Sequence, residues 1–337
     1  MKVEKIYVYP VKALRAVELD EVQVTKHGFP HDRRFMMLHV QKGEDGKTTL
    51  KNMAVAYYPR SVLLFPSIDT AAGILTITYK PPNGEAKSLD LPLSPFTDDL
   101  EVVDVTMHGS PTKAYKMQQQ YNDWLSSCYG HEVILVYLGP NYRPVLMSSS
   151  PNIQRPSSKI TSEGNSSSGW LSSLTSTATS LLSGSTMIPK DEQLLTFNDV
   201  APYLIASSKS MEDVTSRLPA SEAQDLDIIK FRPNVIVSGA SEPWDEDFWS
   251  QITITSSDAQ TKIECIHNCG RCKSINIDYK TGEPGTNEKG SEDRSGGEVF
   301  THFCEGNTIR KGDEVEVTRR NEEGTKFDWE GLNTLSS

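Results

Sequence analysis

Apolar and polar positions alternate with a period of two along the first forty residues, which predicts strands. In "MKVEKIYVYP" Ile6 and Val8 precede Pro10 and a turn, and "VELDEVQVTKHGF" carries Val17, Leu19, Val22 and Val24 as its apolar anchors. "RRFMMLHV" (33–40) reads as another strand, and "EDGKTT" (44–49) as the turn of a hairpin. "GILTITYKPPNGEAKSLDLPL" (73–93) repeats the strand, turn, strand pattern around Pro-Asn-Gly. The period then changes. Met117, Tyr121, Trp124, Leu125 and Cys128 recur at helical spacing, and Gly130 supplies a stop. "HEVILVYLGP" closes this half with a buried strand.

Residues 150–190 lose the pattern. They are rich in Ser and Thr and read as a linker or surface insertion. Patterning resumes at "QLLTFNDVAPYLIASSKSMEDVTSRL", where a strand over 203–206 leads into a short helix with Ser210 as its expected cap. "NVIVSG", "ITITSSDAQTKIECI" and "VFTHFCEGNTIRKGDEVEV" add further strands. The fold class expected is mainly β with some α. It comprises a β-barrel-like N-terminal domain over 1–140, the insertion over 150–190, a second β-barrel domain over 191–320 and a polar tail over 321–337.

Composition narrows the function. The 337 residues carry a net charge of −11, and mean hydropathy is −0.45. An acidic surface repels phosphate backbones, so no nucleic acid partner is expected. The longest apolar runs are too short to span a bilayer, and the N-terminus has neither a signal-peptide core nor a transit-peptide composition. A cytoplasmic location with reduced thiols is the expectation, and a mitochondrial outer-membrane location is not, because no anchor precedes the first strand.

Three of the five cysteines fall in "CIHNCGRC", at 265, 269 and 272. Cys269 and Cys272 have the spacing of a zinc knuckle that His302 and Cys304 would complete, although those two lie too close for the usual second pair. A redox dithiol needs a helix after its first cysteine, whereas the alternation of Ile275, Ile277 and Tyr279 suggests a strand. The cysteines can also be plain buried hydrophobes, which suits Cys265 after Ile263. A fourth reading is one thiolate on a loop beside Arg271, ligating a soft metal or carrying a persulfide. These residues alone leave the choice open.

The order of motifs is more specific. "YPVKALRAVELDEVQVTKHGFPHDRRFMML", "FNDVAPYLI", "FRPNVIVSG" and "CGRCKSINIDYKTGE" together resemble a MOSC N-terminal β-barrel domain followed by a MOSC domain, as in the amidoxime-reducing components. The resemblance covers the chain apart from the insertion and the tail. It implies a molybdenum cofactor (Mo-molybdopterin) whose metal is ligated by Cys272, the catalytic residue, with Arg271 beside it. It further implies that Lys12, Arg33 and Arg232 hold the pterin phosphate. Asn234 and the backbone of Asp199, Val200 and Ala201 would line the cofactor, and Asp278 would orient the loop after Cys272. Ala13 departs from the pattern, since relatives commonly carry serine there.

The activity implied is reduction of N-hydroxylated small molecules such as amidoximes and hydroxylamines. Electrons would come from a cytochrome b5 type electron donor with its NADH-dependent flavin reductase, because the chain shows no dinucleotide fingerprint or haem motif of its own. MOSC domains also occur in molybdenum cofactor sulfurases, which implies the alternative of a sulfur carrier acting through a Cys272 persulfide. Pyridoxal phosphate binding, known at family level, belongs to the sulfurases' desulfurase domain, which this sequence does not show.

One feature of the insertion stands apart from the resemblance. On a helix, Trp170, Leu171, Leu174, Ala178, Leu181 and Leu182 fall on one arc against Ser and Thr. Such a stripe suits weak peripheral contact with a loosely packed membrane, or docking of a flexible linker on its parent domain.

Overall fold

The computed structural model describes residues 1–146, 193–219, 223, 226–269, 273–284, 297–298 and 306–324. The Ser/Thr-rich insertion with its 170–182 stripe, Arg271, Cys272, His302, Cys304 and most of the polar tail lie outside them.

The fold is mainly β, with two α-helices, Gln119–Tyr129 and Ser208–Ser216, among the described residues. No helix there is long and apolar enough to cross a membrane. The first strand, Lys2–Val8, stands inside a seven-stranded sheet otherwise built mostly from residues beyond 200. It pairs antiparallel with Val235–Ser238, Val17–Leu19 and Glu314–Arg320. Trp249–Thr255 and Gln260–Glu264 extend one side of this sheet, and Ile205–Ser207 closes the other in parallel with Val235–Ser238. Its core gathers Ile6, Val8, Ile205, Val235, Trp249, Ile252, Ile254 and Val315. Fully burying one such aliphatic side chain is worth about 1.5–3 kcal/mol.

A five-stranded sheet carries the other large core. Its order is Thr48–Asn52, Phe35–Lys42, Val133–Tyr137, Ser110–Lys116, Val102–Met107. Helix Gln119–Tyr129 packs Tyr121, Leu125 and Cys128 into that core and ends at Gly130 in the left-handed region, φ 79°. The hairpin turns expected at 44–49 and around Pro-Asn-Gly both form, between Phe35–Lys42 and Thr48–Asn52 and between Ile74–Tyr79 and Lys87–Pro92.

Two local expectations need correction. The cap of Ser208–Ser216 is Ser207, whose hydroxyl accepts from the Lys209 N–H. Ser210 is instead buried inside the helix, donating to Glu246 and accepting from the Trp244 N–H. The segment after Cys272 is also no strand. Lys273–Asn276 is a single 3-10 turn, and only Ile277 then bridges Pro284. Ile277 and Tyr279 are buried because they pack on Ala13, Val55 and Leu63, so their apolar alternation reflects tertiary packing.

Candidate functional site

The "YPVK" stretch crosses from one large sheet to the other. Val8 ends its strand in the seven-stranded sheet, and Val11 then bridges Phe35 of the five-stranded sheet. The Lys12 N–H donates to the Phe35 carbonyl and the Arg15 N–H to that of Leu64. Two other segments meet this crossing. The Phe197 N–H donates to the Arg33 carbonyl, and the Asn234 N–H donates to that of Leu204. "DR", "FND" and "FRPN" thereby converge on one junction. Four of the six non-glycine residues with positive φ among the described residues are there: Ala13 (74°), Arg33 (49°), His108 (53°) and Arg232 (59°). Such backbone is unfavourable for side chains with a Cβ, and it concentrates where a structure positions groups for function.

The cations at this junction differ in what they hold. Arg33 is buried and pairs with Asp32, which is 0% exposed. It also donates to Asn234 Oδ1 at 3.1 Å and to the Arg232 carbonyl at 3.2 Å. Asp32 in turn accepts from the Tyr9 N–H at 2.7 Å and from Asn198 at 3.2 Å. Asn234 ties three strands' ends together, donating to the Tyr7 carbonyl and accepting from the Leu204 N–H. Lys12 is buried and donates to Asp199 Oδ1 at 2.6 Å and to the Phe197 carbonyl at 3.1 Å. Burial lowers the Lys12 pKa, with Asp199 opposing. The Asp199 side chain is 63% exposed, and Lys12 and His108 hold its carboxyl well below the usual carboxylate range. His108 Nε2 lies 2.9 Å from the same Oδ1.

Arg232 is placed differently. Its Nη1 donates to the Leu14 carbonyl at 2.8 Å, while its Nη2 is buried and has no hydrogen-bond partner. Its guanidinium lies over one side of the Tyr9 ring system at 4.4 Å, and that of Arg33 lies at 4.6 Å from the same ring. The 3-10 turn Ile228–Phe231, which leads into Arg232, packs against Lys273–Asn276. Lys273 directly follows Cys272 in the sequence.

The structure therefore brings together Lys12, Arg33, Asp199, Arg232 and Asn234, with Val200 and Ala201 buried in a small apolar cluster next to them. Asp278 serves its own turn: its carboxylate accepts from the Lys280 and Thr281 N–H groups, and these bonds lower its pKa. Sequence reading missed Arg143. It is fully buried and donates to the carbonyls of Met107, Thr196, Asn198 and Asp199, fixing the loop that carries Asp199. Burial lowers its pKa to about 10. The one sequence signal was an arginine beside a buried strand, too common to single out. Among the described residues no group of three or more His, Cys, Asp or Glu is arranged to hold a metal.

The donor set suits an anionic group. A buried guanidinium nitrogen without an acceptor costs free energy unless an acceptor reaches it. A phosphate oxygen would match both its charge and its geometry.

Two family models match the chain. The model of the MOSC N-terminal beta barrel domain matches residues 1–132, and that of the MOSC domain matches residues 192–316. The chain is 24% identical over 285 residues to mitochondrial amidoxime-reducing component 1 of Homo sapiens, covering 83% of this chain and 67% of that protein. It is 23% identical over 286 residues to the Mus musculus protein of the same name, with 83% and 66% covered. It is 23% identical over 291 residues to the molybdenum cofactor sulfurase of Homo sapiens, with 83% of this chain but 27% of that protein covered. The chain thus spans about two thirds of the former relatives' length and about a quarter of the latter's.

Proposed function

Because the chain belongs to the MOSC family, pairing the N-terminal beta barrel domain with a MOSC domain, we propose that it binds a molybdenum cofactor and reduces N-hydroxylated compounds such as amidoximes and hydroxylamines. The observation that carries the reading is the buried, unpartnered Nη2 of Arg232, beside the turn that follows Cys272. It offers a charged donor to the cofactor's phosphate, and the thiolate of Cys272 would ligate the metal. When bound, the group supplies a redox centre able to accept the oxygen of an N–OH bond.

The chain's own residues bind, orient and handle protons. Arg33 and Asn234 hold the "FRPN" backbone so that Arg232 faces inward. Arg143 holds the 196–199 loop, and Lys12 and His108 fix the Asp199 carboxylate at its end. Releasing the oxygen as water consumes protons and an electron pair. The His108–Asp199–Lys12 chain carries exchangeable protons at the junction, and the electrons come from a cytochrome b5 type electron donor with its NADH-dependent flavin reductase. The test is turnover of benzamidoxime to benzamidine by the molybdenum-loaded protein, with a reduced viologen or the cytochrome chain as donor. Amidine formation is expected; a loaded protein inert with both donors would contradict the activity.

The match to sulfurases favours a second reading, in which Cys272 carries sulfur as a persulfide. Persulfide on Cys272, detected by mass spectrometry after incubation with a desulfurase and cysteine, would favour it over the reductase.

A further inference from the structure

We propose that the stacked histidines His39 and His131 form a proton-operated latch, which holds the 54–63 segment in place while the rings are neutral and loosens it in mild acid. The inference goes beyond the proposed function and does not depend on which reaction the chain catalyses.

Strand register brings the two rings together. His39 lies near the end of Phe35–Lys42, where it pairs with Val133 of the neighbouring strand. His131 stands two residues before Val133, which places it diagonally across from His39 on the same face. The ring centroids are 3.9 Å apart with the planes tilted by 36°. Tyr58 covers both rings, its own centroid 5.6 Å from His39 and 5.8 Å from His131. Its hydroxyl lies 3.0 Å from His39 Nδ1, and the side-chain amide nitrogen of Gln41 lies 3.4 Å from the same atom. The Tyr129 ring flanks His131 at 5.6 Å.

Tyr58 carries the contact into a segment that reaches the candidate site. It immediately precedes the 3-10 turn Pro59–Leu63. Val55, Val62 and Leu63 pack with Ala13, Ile277 and Tyr279. The turn at Gly282 fits so closely that a Cβ there would lie 3.0 Å from the Leu63 side chain and 3.4 Å from the Arg60 Cα. The 54–63 segment thus stands between the histidine pair and the 277–282 turn. Its other ties run to Tyr129: Ser61 Oγ lies 2.7 Å from the Tyr129 hydroxyl, and Arg60 donates to the Tyr129 carbonyl at 3.3 Å. Burial pushes both Tyr58 and Tyr129 up, so neither titrates near neutrality. The histidines do titrate there.

The charges around the pair oppose its protonation. Lys51 stands directly opposite His39 on Thr48–Asn52, and Arg60 adds a cation from the 3-10 turn. The carboxylate beside His131, Glu132, pairs with Lys42 at 3.4 Å. Partial burial lowers the His39 pKa from the ordinary 6.5, and His131 and Lys51 lower it further. Stability from the neutral ring is therefore present above 6.5 and is lost as pH falls through the lower, folded value. The Tyr58 hydroxyl can accept from a charged ring as well as donate to a neutral one, so that bond alone does not open the latch. Repulsion between two stacked imidazolium rings does.

The experiment is hydrogen–deuterium exchange of the full chain from about pH 8 to about pH 5.5, corrected for intrinsic exchange and read by peptide mass spectrometry. Peptides covering 54–63 and 277–282 are expected to lose protection severalfold in acid, while those covering Val235–Ser238 keep theirs. His131→Gln and His39→Gln each leave one ring, and each is expected to flatten the acid loss. In His131→Gln the His39 pKa, read by NMR titration, is expected to rise toward the ordinary value. Protection at 54–63 that is independent of pH in wild type would overturn the inference. So would an unchanged acid loss in both variants, or opening at Val235–Ser238 to the same extent. None of these readouts involves turnover or molybdenum, so failure of the reductase reading leaves the latch standing.

Discussion

Lys12 and Arg33, and Arg15 and Arg232, are four cations of the junction held in opposite conditions. The first pair is buried and bonded to carboxylates and carbonyls of the chain itself. The second pair is stacked on aromatic rings, and Arg232 keeps a buried donor without an acceptor. A cation already satisfied internally stabilises the fold, and removing it strands a partner. A cation held by stacking is available to a ligand, and removing it costs the fold little. Membership of a family motif does not separate the two roles; the acceptors do.

The largest test of that contrast is Arg33→Ala. It leaves the Asp32 carboxyl without its cation at 0% exposure, so a loss of about 3–5 kcal/mol in urea denaturation is expected. A change under about 1 kcal/mol would show that Asp32 finds other partners and that Arg33 is not structural. Arg143→Met comes next. Buried carbonyls of Met107, Thr196, Asn198 and Asp199 lose their donor, which should cost about 3 kcal/mol and loosen the 196–199 loop to proteolysis.

Lys12→Met should cost less, about 1 kcal/mol, because the Asp199 side chain is 63% exposed and water can take over. Its pH dependence carries a sign. The Asp199 pKa is depressed in the folded protein, so its contribution is present above the ordinary carboxylate pKa and is lost as pH falls through the lower, folded value. A melting-temperature series toward acid should fall more steeply for wild type than for Lys12→Met. Parallel curves would show that the pair contributes nothing. Arg15→Gln completes the comparison at the small end, with a stability change within about 0.5 kcal/mol.

Much of the fold was legible because strands and turns were written locally. Val133–Tyr137, the Pro-Asn-Gly hairpin and the glycine-stopped helix follow from period and punctuation. The place of Lys2–Val8 inside the far sheet was not legible, since strand pairing across more than two hundred residues leaves no local signal. The turn after Cys272 was misread because burial of Ile277 and Tyr279 on Ala13 and Leu63 mimics strand alternation. Lys12, Arg33, Arg232 and Asn234, which the motifs single out, lie at one junction, but their division into paired and unpaired cations depended on Asp32, Asp199 and Leu14, which only tertiary structure brings into contact.

The smallest effect concerns the cysteines. Burial pushes the Cys265 thiol up to about 12 from an ordinary 9.0, which fits a packing residue. Stability from the neutral thiol is present below pH 9 and declines as pH rises toward 12. Iodoacetamide at pH 8 should therefore spare Cys265 in the folded protein and label the half-buried Cys269 before it. Labelling of Cys265 ahead of Cys269 would contradict its placement in the core.

The central claim is that this junction holds a molybdenum cofactor with Cys272 at the metal. The most direct measurement is elemental analysis of protein purified from a molybdenum-sufficient host, for wild type and Cys272→Ser, with X-ray absorption at the molybdenum edge. The account predicts stoichiometric molybdenum in wild type and one sulfur fewer around the metal in Cys272→Ser. Stoichiometric zinc in place of molybdenum, or an unchanged sulfur shell in Cys272→Ser, would contradict it.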